Sequence, residues 1–217
     1  MLTLSLGSSD ALLNYLGRQL DHFFPDGNGK AERPALQAGM ETALRRLERC
    51  IGEVRMWTPG RFDHLHSSQY TTFLYYLANT LWRAGAERAL CNKLFGLNKA
   101  LNGIDLFYEI ELPEVFFIGH SVGIVLAKAT YGNRLVLYQN STVGKNHGEA
   151  PVLGDGVVMY AGTAIIGRCQ IRAGTVISQG TSIVDRSTPG NCMVFPGEAG
   201  GLVVKAPTRD VLGDLFR

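Results

Sequence analysis

A six-residue repeat in the C-terminal half most constrains the fold of this chain. Large apolar residues recur there every sixth position without a break, at Leu153, Met159, Ile165, Ile171, Ile177 and Ile183. Four residues after each of them stands a small or β-branched residue, at Val157, Thr163, Cys169, Thr175, Thr181 and Ser187. A period of six fits neither a helix nor a simple hairpin meander. It fits a short strand followed by a turn, with each aliphatic side chain pointing inward.

Three such units close one triangular coil, and stacked coils bury a continuous column of aliphatic side chains. Tyr131, Leu137 and Val143 extend the same spacing upstream. A β-sandwich would instead need longer alternating strands joined by hairpin turns. The repeat therefore predicts a parallel β-helix.

The N-terminal half has a helical period instead. Four amphipathic stripes are present, namely Leu12–Phe23 after a possible cap at Ser8, Leu36–Val54 opened by Pro34, Tyr70–Leu81 ending near Gly85, and Leu90–Leu101. The segment PDGNGKAERP between the first two is predicted to be a loop. The predicted fold class is α+β, with a helical domain at 1–102, a β-helix domain at 103–200 and a tail at 201–217.

Charge and cysteine usage narrow the classes of function. The formal net charge is only +2, and no Lys/Arg-rich run indicates a nucleic-acid or membrane surface. No apolar run approaches the ~20 residues that span a bilayer, and the apolar start lacks the basic region of a signal peptide. Cys50, Cys91, Cys169 and Cys192 lie far apart, which favours reduced thiols in the cytoplasm and argues against a zinc knot.

The repeat segment LGDGVVMYAGTAIIGRCQIRAGTVISQGTSIV resembles the hexapeptide-repeat acyltransferases, whose fold is the left-handed parallel β-helix. Serine acetyltransferases carry Asp-His-x-x-Gly-Ile-Val early in that β-helix, and the matching segment here is Gly119–Val125. They also have an aspartate fifteen residues before the histidine, where Asp105 stands, and a Gln-x-x-Thr-aliphatic-Gly segment, here 139–144. The resemblance covers residues 60 to 200 approximately.

This resemblance implies an acyltransferase that uses acetyl-CoA as co-substrate and needs no metal. Acyl transfer to a hydroxyl requires a base for the hydroxyl proton, donors for the oxyanion, and alignment of the two substrates. His120 is the predicted general base. Asp105 is predicted to accept the proton on the far ring nitrogen of His120, which fixes the tautomer and stabilises the charge gained during attack.

The resemblance also suggests where acetyl-CoA binds. The pantetheine arm is expected to lie along the coil turns at Ala161, Gly162, Gln179 and Gly180, where small residues allow close approach to the backbone. Glycine also occurs at the corners of such coils for structural reasons alone. Lys205 or Arg209 is expected near the CoA phosphates.

Acceptor-binding residues are predicted in two places. A polar segment before the third helix contains Asp63, His66, Gln69 and Tyr70, which can bind hydroxyl groups or simply cap the helix. The stretch between Val143 and Leu153 is four residues longer than one unit, so a loop must leave the coil. That loop carries Lys145 and His147, which are predicted to contact the acceptor or the CoA phosphates unless they are solvated loop residues.

Two departures from the serine acetyltransferase pattern bear on the acceptor. The family's aspartate before the histidine is Gly119 here, and its Arg-His-Pro reads Glu149-Ala150-Pro151. A carboxylate ligand buried without a cationic partner is costly. The acceptor is therefore predicted to be a sugar or nucleotide sugar of surface polysaccharide synthesis, with serine O-acetylation in cysteine biosynthesis as the alternative.

Two other functions compete with acyl transfer. A zinc enzyme on this fold uses three histidines, but only His120 and His147 lie in the predicted β-helix. A non-catalytic β-helix scaffold would not need the pair Asp105 and His120. By resemblance the chain is expected to form a homotrimer or a dimer of trimers, with active sites between subunits.

Overall fold

The computed structural model describes residues 2–217, and two kinds of architecture follow each other along the chain. The helices are α1 (Ser9–Phe23), α2 (Gly29–Glu53), α3 (Ser67–Arg83), α4 (Arg88–Asn102) and α5 (Val211–Leu215), with a 3-10 turn at Glu198–Gly200. The strands are β1 (Thr3–Leu4), β2 (Arg61–Phe62), β3 (Asp105–Leu106), β4 (Phe116–Ile118), β5 (Val125–Leu126), β6 (Thr130–Tyr131), β7 (Leu135–Leu137), β8 (Thr142–Gly144), β9 (Val152–Leu153), β10 (Val158–Met159), β11 (Ala164–Ile166), β12 (Gln170–Ile171), β13 (Thr175–Ile177), β14 (Ser182–Val184), β15 (Cys192–Pro196) and β16 (Leu202–Lys205).

Strands β3 to β15 form the three faces of a parallel β-helix. The first face has the order β16-β15-β13-β10-β7-β4, the second β14-β11-β8-β5-β3, and the third β12-β9-β6. All the pairings are parallel except that of β15 with β16, which is antiparallel and closes the first face. The predicted fold class, a helical half followed by a hexapeptide-repeat β-helix, is confirmed.

The six-residue repeat points inward as predicted. Ile165, Ile177 and Ile183 are completely buried, and Thr163, Thr175 and Thr181 are buried beside them. The threonine hydroxyls find partners within the coil, because Ser141 Oγ lies 3.3 Å from Thr163 Oγ1. Beyond Ile183 the spacing changes: Thr188 is the next buried residue, pairs with Ile171 of the preceding coil and hydrogen-bonds Thr175, so this unit is one residue shorter than the others.

The four predicted helices are present, but α2 begins earlier than expected. The segment from Gly29 was predicted to be a loop opened into a helix by Pro34, whereas Pro34 lies inside α2. Lys93 of α4 holds this first part of α2, since its Nζ lies 2.7 Å from carboxylate oxygens of both Asp26 and Glu32. These tertiary ion pairs therefore offset the loss of the helical hydrogen bond that Pro34 cannot donate.

The helical half packs directly on the first coil of the β-helix. Tyr75 and Tyr76 of α3 donate hydrogen bonds to the carbonyl oxygens of Ile110 and Glu114. From α2, Cys50 Sγ donates to the Phe116 carbonyl at 3.0 Å, and burial raises the pKa of this thiol to about 11. The first coil of the β-helix therefore packs against α2 and α3.

The end of the chain returns to the helical half. Arg217 donates to the carbonyl oxygens of Gly52, Val54, Arg55 and Trp57, which surround the end of α2. Phe216 is buried and forms a bridge with Val54. The last part of the predicted tail, from Val211 onward, therefore packs on the rest of the protein, whereas residues 203–210 are exposed.

Two further findings concern sequence expectations. The four cysteines are buried and none is in a disulfide. Over residues 2–217, every helix is too short or too polar to cross a membrane.

Candidate functional site

His120 lies on an exposed turn between the first and second faces of the β-helix. It follows β4 and precedes β5, and the turn is two residues longer than the corresponding turn between β7 and β8. Hydrogen bonds hold the turn on both sides: Ser68 Oγ donates to the Gly119 carbonyl at 3.1 Å, and Ser121 Oγ donates to the Asn102 carbonyl at 2.6 Å. The start of α3 and the end of α4 thus fix the backbone that carries the imidazole.

Asp105 lies on the adjacent strand of the second face, and β3 pairs with β5 just after the His120 turn. Its Oδ2 accepts a hydrogen bond from Lys99 Nζ at 2.7 Å. Within residues 2–217, no hydrogen bond joins Asp105 to His120. The orienting role of Asp105 stays a prediction. It requires the carboxylate either to break its hydrogen bond with Lys99 or to bind Lys99 and His120 at the same time.

The predicted donor-binding residues lie along the same corner as His120. The register of β4, β7, β10 and β13 places four residues at equivalent points of successive coils, namely His120, Gln139, Ala161 and Gln179. Backbone bonds confirm the stacking, since Gly162 N donates to the Gln139 carbonyl at 2.9 Å and Gly180 N to the Ala161 carbonyl at 3.0 Å. With coils spaced by about 4.8 Å, this row runs away from His120 along the β-helix.

Two residues of this corner were not predicted as site residues. Tyr138 follows β7 at the point equivalent to Gly119, and its ring centroid lies 6.5 Å from that of His120. Gln139 comes next, and its Oε1 is buried without a partner among the described residues. Coil register identifies both residues, because each lies one coil after the histidine segment. Counting residues along the sequence leads to these positions only when the longer turn at His120 is taken into account.

An aromatic row leads from the helical half to this corner. Trp57 contacts His66 edge-on at 6.2 Å and Phe117 at 5.6 Å, and Phe117 contacts Tyr138 at 6.2 Å. Tyr138 stacks in turn on Tyr160, with centroids 5.4 Å apart. Of the residues predicted to bind the acceptor, His66 is therefore joined to the His120 corner through aromatic contacts.

Asp63 and Tyr70 have other roles in the structure. Asp63 Oδ1 accepts from the backbone N–H of Leu65, and Asp63 N donates to Gln69, so this segment forms a turn before α3. The prediction that Tyr70 binds the acceptor is not supported: its side chain is only 4% exposed and its hydroxyl donates to Gln19 of α1. Tyr70 faces the packed interior of the helical half because it lies on the face of α3 that meets α1.

His147 lies at a different corner from His120. It forms the tip of a tight hairpin in which Asn146 and Glu149 exchange backbone hydrogen bonds, between the second and third faces. Asn146 Nδ2 donates to Asp185 at 2.8 Å. The pKa of Asp185 lies below its usual value, chiefly because the backbone N–H of Arg168 donates to its carboxylate and secondly because Asn146 does so. The predicted contact of His147 with the acceptor or the CoA phosphates therefore stays a prediction.

Lys205 and Arg209 lie near the far end of the same face. Lys205 is on β16, opposite Met193, and its Nζ lies 5.6 Å from the centre of the Phe195 ring. Arg209 donates to the Tyr160 hydroxyl at 3.4 Å. Within the described residues, no three His, Cys, Asp or Glu side chains come together in a way that would hold a metal ion.

No family model matches this chain. Curated proteins do match it, and the matches include a serine acetyltransferase of Synechococcus elongatus, 31% identical over 118 residues, which covers 52% of this chain and 48% of the relative. A serine acetyltransferase of Mycobacterium tuberculosis is 28% identical over 140 residues, covering 60% of this chain and 59% of the relative. The chain thus spans about half the length of the curated relatives it matches.

Solved structures match over more of the chain. Serine acetyltransferase from Neisseria gonorrhoeae in complex with serine has a TM-score of 0.70 at 20% identity, covering 93% of this chain and 83% of that one. The enzyme from Vibrio cholerae O1 biovar El Tor has a TM-score of 0.71 at 18% identity, covering 92% and 81%. In sequence and in fold, this chain resembles the serine acetyltransferases. The resemblance expected from the hexapeptide repeat and the histidine segment is therefore confirmed.

The structure gives a physical reason for one departure from the serine acetyltransferase pattern. A Cβ atom at Gly119 would lie 2.5 Å from Cε1 of Tyr138. An aspartate at position 119 is therefore incompatible with the ring of Tyr138 in its present place. The second departure, Glu149-Ala150, lies in and beside the hairpin that carries His147.

Proposed function

We propose that this chain is an acetyl-CoA-dependent O-acetyltransferase. The observation that carries the proposal is the row of coil turns in which the exposed His120 is followed by the small residues Ala161 and Gly162 on one corner. Such a row lets an extended pantetheine arm lie close to the backbone and end at the imidazole. The names of the similar proteins support the same reaction class.

In the proposed reaction, neutral His120 removes the proton from the acceptor hydroxyl as its oxygen attacks the thioester carbonyl. The tetrahedral intermediate then breaks its carbon–sulfur bond. The CoA thiolate leaves and takes the proton back from the imidazolium, so no oxidant or metal is consumed. Asp105 would stabilise the transient positive charge if its carboxylate turns from Lys99 toward His120.

Serine is the acceptor that the comparisons favour. The similar curated proteins are called serine acetyltransferases, and one of the similar solved structures is a complex with serine. The comparisons offer no support for the sugar acceptor predicted from sequence. We therefore place serine first as the acceptor to test.

A sugar hydroxyl is retained as second candidate because of one observation. The ring of Tyr138 covers Gly119, where the serine acetyltransferase pattern has an aspartate, so an aromatic and uncharged side chain replaces a carboxylate beside His120. The two acceptors differ in charge, so one assay separates them.

The test is release of CoA thiol from acetyl-CoA with L-serine, D-glucose and UDP-glucose as acceptors. We expect turnover that depends on both acetyl-CoA and one acceptor. Turnover of L-serine alone would exclude the sugar proposal, and turnover of a sugar alone would exclude serine. If the protein shows no turnover and no CoA-dependent shift in melting temperature, the enzymatic proposal is contradicted and a scaffold is favoured.

We further propose that the chain assembles as a homotrimer or a dimer of trimers, in the cytoplasm. The second face of the β-helix supports this proposal, because Val125 and Val184 are each 44% exposed and Val122 is 66% exposed at its edge. Exposed apolar side chains along one face of a β-helix are typical of a contact surface. We expect light scattering to give three or six times 23.7 kDa, and a monomeric mass at micromolar concentration would contradict the assembly.

A further inference from the structure

We propose that Tyr138 is a wall of the acceptor subsite and determines which acceptor reaches His120. This inference rests on the proposed acetyltransferase function. It assigns a role to a residue that lies one coil away from the histidine segment, on the same corner.

The first step of the argument is steric. A Cβ atom at Gly119 would lie 2.5 Å from Cε1 and 2.6 Å from Cδ1 of Tyr138, distances that real Cβ atoms essentially never show. The ring therefore lies directly against the residue that immediately precedes His120. Position 119 tolerates only glycine while the ring stays there, so the wall next to the imidazole comes from Tyr138 instead of residue 119.

The second step is rigidity. Tyr160 stacks on one side of the Tyr138 ring at 5.4 Å and 20°, and Phe117 meets it edge-on at 6.2 Å and 88°. Together with Gly119, these contacts restrict the ring on several sides. A wall held in this way selects a ligand by shape, because moving it would cost several aromatic contacts.

The third step is chemistry. Burial, and secondly the neighbouring Tyr160, raise the pKa of Tyr138, so its hydroxyl stays protonated at neutral pH. That hydroxyl has no hydrogen-bond partner among residues 2–217, although Tyr160 next to it receives one from Arg209. Tyr138 therefore offers an acceptor the edge of a neutral ring and one free hydroxyl rather than a charge.

Two different substitutions should disturb this wall and give the same kinetic profile. Tyr138→Ala removes the ring, and Gly119→Ala displaces it by adding the Cβ that the ring excludes. For whichever of L-serine, D-glucose and UDP-glucose the wild type acetylates, we expect both variants to change the acceptor KM about tenfold. The KM for acetyl-CoA should stay within about twofold, because the predicted donor-binding residues, from Ala161 to Gly180, lie on the following coils.

The conservative variants separate the hydroxyl from the ring. Tyr138→Phe should raise the acceptor KM about threefold if the free hydroxyl binds the acceptor. Tyr160→Phe is the matched control, since it removes a hydroxyl that accepts only from Arg209 and leaves the stack intact, and it should leave both KM values unchanged. Circular dichroism and melting temperature confirm that each variant is folded.

The outcomes distinguish this inference from the proposed function. Folded Tyr138→Ala and Gly119→Ala proteins with an unchanged acceptor KM, or with a raised KM for acetyl-CoA alone, would overturn the role of Tyr138 while the acetyltransferase proposal stands. A wild-type protein that acetylates none of the three acceptors would overturn the proposed function, and this inference with it.

Discussion

His120→Ala is expected to reduce kcat for acetyl transfer by about 1,000-fold. Without the imidazole, no group on this turn removes the hydroxyl proton during attack, and general-base catalysis by a positioned side chain contributes about 100- to 10,000-fold. The KM for acetyl-CoA should change little, because the donor row lies on the following coils. The measurement is initial-rate thiol release at saturating acetyl-CoA.

The control for this loss is His22→Ala, which removes an exposed histidine at the end of α1 whose ring contacts Phe23. It should retain full activity. A His120→Ala protein with near wild-type kcat would contradict the proposed base. Asp105→Asn and Lys99→Met then test the orienting role: if the carboxylate acts through His120, only the Asp105 variant lowers kcat, by about tenfold or more.

Gly132→Ala is expected to produce the largest loss of stability, about 3 kcal/mol in the free energy of unfolding. A Cβ at this position would lie 2.3 Å from the carbonyl carbon of Gly154 and 2.4 Å from the backbone nitrogen of Asp155, on the next coil. Main-chain atoms cannot move aside as a flexible side chain can, so the two coils must separate. Thermal unfolding should show a melting temperature lower by about 10 °C.

Gly17→Ala is the matched control, because Gly17 lies inside α1 and an added Cβ would meet nothing within 4 Å. It should stabilise the protein by about 0.5–1 kcal/mol, the cost of glycine in a helix interior. Equal melting temperatures for Gly132→Ala and the wild type would contradict the stacking of these two coils.

The sequence predicted the β-helix more reliably than the details of its ends. The inward column at Ile165, Ile177 and Ile183 follows from the repeat, because each residue must fill the same triangular interior. After Ile183 the next inward residue, Thr188, follows after five positions, and the aliphatic period gave no sign of this shorter unit. The start of α2 was missed for a similar reason, because its support comes from Lys93, more than sixty residues away in the chain.

The residues of the candidate site also differ in how far the sequence predicted them. His120 was found from its local segment, and its placement on the corner shared with Ala161 and Gln179 agrees with the donor-binding prediction, which stays a prediction. Tyr70 was chosen from its neighbours in sequence, yet the side of α3 that it occupies faces α1. Tyr138 was overlooked although it directly precedes the segment 139–144, because only coil register places its ring over Gly119.

The period of six by itself determined that this chain forms stacked triangular coils, since no other regular structure buries an aliphatic residue at every sixth position. Only the tertiary structure decided what surrounds His120. Coil register brings Tyr138 over Gly119, and the packing of α3 and α4 anchors the turn through Ser68 and Ser121. These contacts join residues that are distant along the chain, so they depend on how coils and helices are stacked and not on local sequence preference.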